Sequence, residues 1–154
     1  MIKAKNVSTG INSEYFNIIL SKLLNLIMKD GKKNVAYKIV NKSVLLASSQ
    51  LNLSNSSELL TKATFNASPD LEIKSKRIGT GVYQVPKAID MNKKLTLGLK
   101  NILDACKVRK EYTMMERLSG ELVDAYNNKG IAVKKKEEIH KLAEANKSFA
   151  HFNW

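Results

Sequence analysis

The feature that most constrains the fold of this chain is a helical spacing of apolar residues that is interrupted only once. Apolar side chains recur at every third or fourth position, which predicts amphipathic helices. Residues 71–89 break this spacing, because β-branched and aromatic residues alternate with charged ones around a Gly–Thr–Gly turn, a pattern that predicts a β-hairpin. We therefore expect a mainly α fold, with six helices and an inserted, protruding β-hairpin. The predicted helices are residues 14–30, 32–49, 55–68, 93–108, 113–126 and 133–147.

Local signals support these element boundaries. Thr113 and Glu116 have the spacing of a capping box, which favours a helix start at that point. Pro86 fits poorly in a central strand, so we expect an exposed ribbon whose base packs on the helices. The chain has 154 residues, the length of a single domain. Residues 1–13 precede the first predicted helix and are expected to form a basic N-terminal arm. Its lysines are Lys3 and Lys5.

The apolar stripes of the helices predict the core. Cys106 lies on such a stripe, which indicates a core position and argues against a nucleophile. The stripe of the second helix is Val35, Ala36, Ile39, Val40 and Val44, and that of the fourth is Leu95, Leu99, Ile102, Leu103 and Cys106.

The charge of the chain limits its partners. Lysine and arginine outnumber aspartate and glutamate by 26 to 14, which gives a net charge of +12. A compact chain with such an excess repels itself, so the excess indicates a polyanionic partner, either nucleic acid or an anionic membrane. A membrane-bound helix needs an exposed apolar face, whereas each predicted helix needs that face for the core. No apolar run approaches the ~18 residues of a membrane span, so we expect no membrane partner.

Enzyme chemistry has little support in the sequence. His140 lies among glutamates on a lysine-rich helix, where carboxylates are more often ion-pair partners of lysines. Two histidines and one cysteine do not make a tetrahedral metal site. The Gly–Thr–Gly turn lacks the helix that follows a phosphate-binding loop. We therefore expect no catalytic residue, no metal and no cofactor.

Four clusters of cations lie on separate predicted elements, which favours an extended polyanionic surface over one small ligand. Lys93, Lys100 and Lys107 are seven residues apart and share one helix face. Three consecutive lysines at the start of the last predicted helix oppose its macrodipole, which indicates an anionic partner. Only three of the 26 cations are arginine, so contacts to backbone phosphates are favoured over base readout. The candidate contacts are Lys29, Lys32 and Lys33; Lys74, Lys76 and Arg77; Lys93, Lys94, Lys100, Lys107, Arg109 and Lys110; and Lys134, Lys135 and Lys136.

Three stretches carry more specific motifs. Residues 24–40 read LNLIMKDGKKNVAYKIV and contain a Met–x–Asp–Gly–Lys–Lys corner. Residues 74–86 read KSKRIGTGVYQVP, and residues 116–154 begin ERLSGELVDAYNNKG. In order and spacing, these stretches resemble the first helices, the hairpin and the C-terminal helices of ribosomal protein seven of the bacterial-type small subunit.

The resemblance implies a protein that binds the head domain of the small-subunit ribosomal RNA and nucleates assembly of the head. It implies that the cation clusters, with Lys3 and Lys5, contact this RNA. The implied protein neighbours are ribosomal proteins of the head and platform. The hairpin would lie beside the exit site for transfer RNA and the messenger path. The hairpin residues implied to be near that site are Gly79, Thr80, Gly81, Val82, Tyr83 and Gln84.

The chain departs from the family pattern at three places. The N-terminal arm carries only Lys3 and Lys5, Asp90 stands in the returning strand where an arginine is expected, and the chain stops at Trp154. With the richness in lysine, asparagine and isoleucine, the short end indicates an organellar ribosome, in the mitochondrion. A plastid-type organelle and the bacterial cytoplasm are the alternatives.

A different function class is also open on the residues alone. An architectural DNA-binding protein can place a β-arm in the minor groove. Such arms insert an apolar wedge at the tip, whereas the tip here is Gly–Thr–Gly. We therefore prefer the RNA-binding hypothesis.

Overall fold

A computed structural model of the chain describes residues 7–152, with side chains from residue 15. Strands β1 (Leu71–Ile78) and β2 (Gly81–Ala88) form an antiparallel hairpin between the third and fourth helices, and a 3-10 segment (Lys147–Phe152) follows the last helix. The predicted fold class, six helices with one inserted hairpin, is confirmed. The helices are α1 (Val7–Ile27), α2 (Lys33–Gln50), α3 (Ser56–Ala67), α4 (Met91–Val108), α5 (Met114–Tyr126) and α6 (Ile131–Ala145).

The core lies where α5 packs against α2, α3 and α4, with α1 covering α3. All five residues of the predicted α4 stripe are buried, as predicted. On α2, Ala36, Val40 and Val44 are buried, but the prediction for Val35 is wrong, because its side chain is 54% exposed. Burial also raises the pKa of the Cys106 thiol to about 12, so the thiol is protonated at neutral pH and is a poor nucleophile.

The predicted capping box closes the start of α5. The Thr113 hydroxyl accepts a hydrogen bond from the Glu116 N–H at 3.3 Å, and the Glu116 carboxylate accepts one from the Thr113 N–H at 3.2 Å. Asn55 caps α3 in a related way, accepting from the Ser57 N–H at 3.1 Å. Both caps accept hydrogen bonds from backbone N–H groups of the first helical turn, which have no acceptor within the helix.

Several predicted boundaries were wrong, among them the start of α4, which is Met91 and not residue 93. Helix α1 begins at Val7, so residues 7–13, predicted as part of the arm, are helical. Strand β2 ends at Ala88, so Asp90 is not in the returning strand. Its carboxylate instead caps α4 by accepting from the Asn92 N–H at 3.3 Å, a role that arginine cannot fill. Helix α6 begins two residues earlier than predicted, at Ile131.

The hairpin turns through two residues and is supported along its length. Ile78 pairs with Gly81, and Gly79 in the turn has a φ of 61°, which glycine adopts without strain. As expected, the ribbon does not stand alone, because β1 packs on α6 and β2 packs on the 3-10 segment. The ring of Tyr83 lies 5.3 Å from the ring centroid of Phe149 and 5.5 Å from that of Phe152. The C-terminal residues therefore fix the hairpin against the domain.

Helices α3 and α4 approach most closely at Gly98. A Cβ atom at this position would lie 2.1 Å from the Ser68 Oγ and 2.8 Å from the Thr64 carbonyl oxygen. That same carbonyl accepts a hydrogen bond from the Ser68 hydroxyl at 2.6 Å, which holds the end of α3 in place. Only glycine therefore allows the two backbones to meet at this distance.

Candidate nucleic-acid interface

The predicted cations divide into two groups, according to whether their side chains bond to other residues of the protein. Lys3 and Lys5 lie outside the described side chains. Among the described side chains, seven predicted cations form no ion pair or hydrogen bond, and all seven are exposed. These seven are available to an external anion. They are Lys29, Lys32, Lys33, Arg77, Lys100, Lys110 and Lys134.

The second group is bound within the protein, in part at the base of the hairpin. Glu72 on β1 pairs with Lys74 at 3.3 Å and, more closely, with Lys93 at the start of α4. Asp70, just before β1, pairs with Lys94. The Glu72–Lys93 and Asp70–Lys94 pairs join the hairpin base to α4. Lys74 and Lys93 keep about half of their side chains exposed, so both can still reach an RNA phosphate.

Helices α4 and α6 are joined through a shared carboxylate. Asp104 on α4 pairs with Lys107 at 2.8 Å and lies 3.9 Å from Lys135 on α6. The hydrogen bond from Lys107 lowers the pKa of Asp104, and the charges of Lys107, Lys135 and Lys100 add to that effect. These three lysines therefore surround one acidic group and form a single electropositive patch.

The two carboxylate links place a line of cations along α4. We call this line the α4 ridge and define it as Lys74, Lys93, Lys100, Lys107 and Lys135. The rise of an α-helix puts Lys93 and Lys107 about 21 Å apart along the axis. The ridge therefore runs from the hairpin base to α6 and can contact an extended polyanion along that length.

The link at Glu72 makes a prediction about acid titration. The hydrogen bond from Lys93 is the main cause that holds the pKa of Glu72 below its ordinary value of 4.5, with Lys74 contributing less. A lowered pKa stabilises the fold above the ordinary value, and that contribution is lost as the pH falls through the lowered pKa. In Lys93→Met the titration midpoint of Glu72, measured by NMR, should rise toward 4.5. In the control Lys100→Met it should stay unchanged, and an equal rise in both variants would contradict the assignment.

Arg109 was predicted to contact nucleic acid, but it lies inside an ionic cluster. Its guanidinium donates to Glu111 at 2.9 Å, to Glu121 at 2.9 Å and to Asp124 at 2.6 Å. Only 20% of its side chain is exposed. Glu121 is fully buried and also accepts from the Ala132 N–H, at the first turn of α6, at 3.0 Å. Arg109 therefore joins the end of α4 to α5, and Glu121 extends this cluster to the start of α6, so we leave Arg109 out of the proposed surface.

The lysine triplet of α6 points in three directions. Because α6 begins at Ile131, the triplet lies in the second turn, where the macrodipole acts less strongly than the sequence suggested. Lys135 faces Asp104, and the Lys136 amine donates to the Asn66 carbonyl at 3.1 Å. Lys134 is exposed with no bond to another described residue. The three consecutive lysines therefore differ in their surroundings. Lys134 faces solvent, Lys135 faces a carboxylate, and Lys136 bonds to a backbone carbonyl.

The predicted hairpin residues are divided between exposed positions and a position that packs within the protein. Thr80, Val82 and Gln84 are exposed, and Gly79 and Gly81 form the ends of the turn. Tyr83 packs against the 3-10 segment, and the neighbouring Lys76 amine donates to the Phe152 carbonyl at 3.0 Å. The exposed tip is thus available to a ligand, while Tyr83 has a structural contact.

Sequence reasoning missed several exposed cations, and two of them, Lys38 and Lys42, lie together on α2. Both lie on the outer face of α2, one turn apart, and neither forms an ion pair with a described residue. Their spacing, opposite the buried Ala36, Val40 and Val44, is the signal that would have found them. They extend the basic surface beyond the corner at Lys29, Lys32 and Lys33.

Within residues 15–152 the side chains offer little for catalysis. No group of His, Cys, Asp and Glu there could hold a metal ion. His140 has a structural contact, since its Nε2 accepts a hydrogen bond from the Asp70 N–H at 3.0 Å. In the part of the chain that the structure describes, no helix is long and apolar enough to cross a bilayer. A helical domain with a lysine-covered surface and a β-hairpin is typical of proteins that bind a polyanion.

Comparison with known proteins identifies the family. The chain belongs to the family described as ribosomal protein S7p/S5e, which it matches over residues 2–147. It is 46% identical to small ribosomal subunit protein uS7 of Hydrogenobaculum over 147 residues, which cover 93% of this chain and 91% of that protein. It is 41% identical to uS7 of Azorhizobium caulinodans over 152 residues, covering 99% and 97% of the two chains. Members of this family are structural constituents of the small ribosomal subunit and not enzymes, as the sequence predicted.

Proposed function

We propose that this protein binds the head domain of the small-subunit ribosomal RNA, nucleates assembly of the head, and places its hairpin beside the exit site for transfer RNA and the messenger path. The α4 ridge carries the proposal. Its lysines come from the hairpin, α4 and α6. Glu72 pairs with Lys74 and Lys93, Asp104 pairs with Lys107 and Lys135, and Lys100 lies between them on α4. A surface of this length, rich in lysine and poor in arginine, suits the phosphates of a folded RNA better than the bases of a defined sequence.

The binding proposal makes a prediction about salt dependence. Each phosphate that a cation neutralises contributes a slope of about −0.9 in log affinity against log salt for a duplex. The double variant Lys100→Ala/Lys107→Ala should therefore flatten the slope by up to ~1.8, measured by filter binding to folded head-domain RNA. The matched control Lys94→Ala/Lys136→Ala removes amines that bond inside the protein, to Asp70 and to the Asn66 carbonyl, and should leave the slope nearly unchanged.

The same assay separates RNA from DNA as the partner. Head-domain RNA and a duplex DNA of similar length are compared at equal salt. We expect tighter binding to the RNA. Tighter binding to the duplex would overturn the proposal and favour an architectural DNA-binding protein. Equal slopes for the two double variants would show instead that the α4 ridge does not face the RNA.

The hairpin makes a separate prediction. Gln84 is exposed on β2, opposite Ser75, and its side chain forms no hydrogen bond with a described residue, so a charge placed there is open to an outside ligand. Gln84→Glu should weaken retention of deacylated transfer RNA on assembled small subunits by about tenfold, which is ~1.4 kcal/mol. Affinity for head-domain RNA should stay within a factor of two in that variant. Unchanged retention in the presence of normal assembly would contradict placement of the tip at the exit site.

The role in assembly can be tested by depletion. Small subunits reconstituted without this protein should sediment as particles that lack the head proteins, and addition of the protein should restore them. Subunits whose head assembles fully in its absence would contradict a nucleating role.

We also propose that the ribosome concerned is mitochondrial. The support is compositional, since the chain has 23 lysines, 15 asparagines and 12 isoleucines but only three arginines. The relatives compared above are bacterial, so the bacterial cytoplasm is the alternative. Sequencing the RNA that sediments with the tagged protein decides between them, because an organellar and a bacterial small-subunit RNA differ in sequence.

A further inference from the structure

An apolar groove opens on the surface at the corner between α1 and α2. It has a volume of about 380 Å³, within the range of ligand-binding pockets. Helix α1 contributes its last residues, α2 its first turns, α4 its C-terminal half and α5 its first residue. The aliphatic lining is Ile27, Met28, Val35, Ile39, Leu103 and Met114.

Two further apolar residues close in sequence to the groove lining are exposed. Val108 ends α4 next to Lys107 and is 66% exposed, and Tyr112, on the connection between α4 and α5, is 93% exposed. Val35, on the groove wall, is more than half exposed. An apolar groove with an exposed apolar residue on its wall indicates an interaction site.

The rim of the groove carries positive charge. Lys29, Lys32 and Lys107 line it, and no acidic residue does. Lys29 and Lys32 form no ion pair with any residue that the structure describes, and only Lys107 has a carboxylate partner, Asp104. The occupant that complements this site is apolar in its centre and acidic at its edge.

RNA does not fit this description. Unpaired bases bind to proteins mainly by stacking on aromatic or guanidinium planes, and the groove lining contains neither. A phosphate placed among Ile27, Met28 and Leu103 would lose its water without gaining a donor. The groove therefore differs from the α4 ridge in its chemistry, although Lys107 borders both.

We propose that this groove binds a short amphipathic segment of another small-subunit protein. Aliphatic side chains of the segment enter between α1, α2 and α4, and its carboxylates pair with Lys29 and Lys32. This is the helix-in-groove mode of recognition, in which apolar anchors supply affinity and charges at the edge supply orientation. The inference rests on the proposed function, because it takes the partner from the same ribosomal particle.

Carbodiimide cross-linking of intact small subunits tests the proposal. The reagent joins a lysine amine to a carboxylate in contact with it, and the linked peptides are identified by mass spectrometry. We expect Lys29 or Lys32 to be linked to an Asp or Glu of another ribosomal protein. The control Lys100, exposed on α4, should give no such link.

A pair of matched variants then tests the groove itself. Val35→Asp places a carboxylate on the wall, whereas Leu45→Asp places one on the same helix about 15 Å away, at a residue that is 63% exposed and outside the groove. Val35→Asp should reduce the cross-link at least tenfold, and Leu45→Asp should leave it unchanged. Both residues are exposed, so both variants should fold.

The outcomes separate this inference from the proposed function. If the tagged protein sediments with small-subunit RNA but Lys29 and Lys32 give no link to another protein, the groove proposal fails and the proposed function stands. Links from these lysines to RNA alone, induced by ultraviolet light, would also overturn it. A cross-link that survives Val35→Asp would show that the partner lies on the lysines without entering the groove.

Discussion

Replacement of Arg109 by leucine should destabilise the protein by about 3–5 kcal/mol, the usual cost of removing one partner from a buried ion pair. The reason is Glu121, which is fully buried and would lose its cation while remaining charged. Its remaining bond, from the Ala132 N–H, does not neutralise it. Urea unfolding followed by circular dichroism measures the loss as a shift of the midpoint at constant slope.

Two further variants make this prediction specific. Lys107→Leu removes an exposed ion pair from the same end of α4 and should cost less than about 1 kcal/mol. The double variant Arg109→Leu/Glu121→Leu removes both charges and should recover much of the loss, because the stranded carboxylate is gone. If Arg109→Leu proved no worse than Lys107→Leu, the cluster would not be holding α5 to α6.

Gly98→Ala should destabilise the protein by about 1–3 kcal/mol, as expected for overpacking of a core. Alanine favours a helix by about 1 kcal/mol over glycine, so intrinsic propensity predicts the opposite sign. The clash wins because the new Cβ meets both the Ser68 Oγ and the Thr64 carbonyl, and a backbone atom cannot turn aside. Thermal unfolding of Gly98→Ala beside Lys100→Ala, an exposed site on the same helix, gives the comparison.

A rescue variant identifies the cause of this effect. Ser68→Ala removes the Oγ that lies 2.1 Å from the new Cβ but leaves the Thr64 carbonyl at 2.8 Å. The combination with Gly98→Ala should therefore restore only part of the stability. A stabilising effect of Gly98→Ala alone would mean that α3 and α4 can separate without cost.

The parts of the fold that were predictable from sequence depend on neighbours in the chain. The Thr113–Glu116 capping box spans four residues, and the hairpin turn is set by Gly79 and the alternation around it. The start of α1 and the role of Asp90 were missed for different reasons. Residues 7–13 contain few apolar side chains, so helical spacing does not mark them as a helix. The family pattern has an arginine at the position of Asp90, and comparison with that pattern does not reveal that Asp90 caps α4.

The candidate surface was predicted less well, because a lysine's partner depends on contacts far along the chain. Lys94 and Lys134 look alike in sequence. One is held by Asp70, which is 24 residues away, and the other faces solvent. Two partners of Arg109, Glu121 and Asp124, lie on α5, 12 and 15 residues away, where the fold brings them to it. Helical spacing does indicate which face a cation occupies, and it would have found Lys38 and Lys42.

The packing of Tyr83 on Phe149 and Phe152 has a consequence for the order of events during synthesis. Tyr83 of the hairpin is translated 66 residues before Phe149, whose ring packs against it. At bacterial-type elongation rates that gap lasts roughly 3–13 s. During this interval the nascent ribbon has no C-terminal support and its strands are free to fray. The hairpin therefore gains the aromatic support of Tyr83 only after Phe149 and Phe152 have been made.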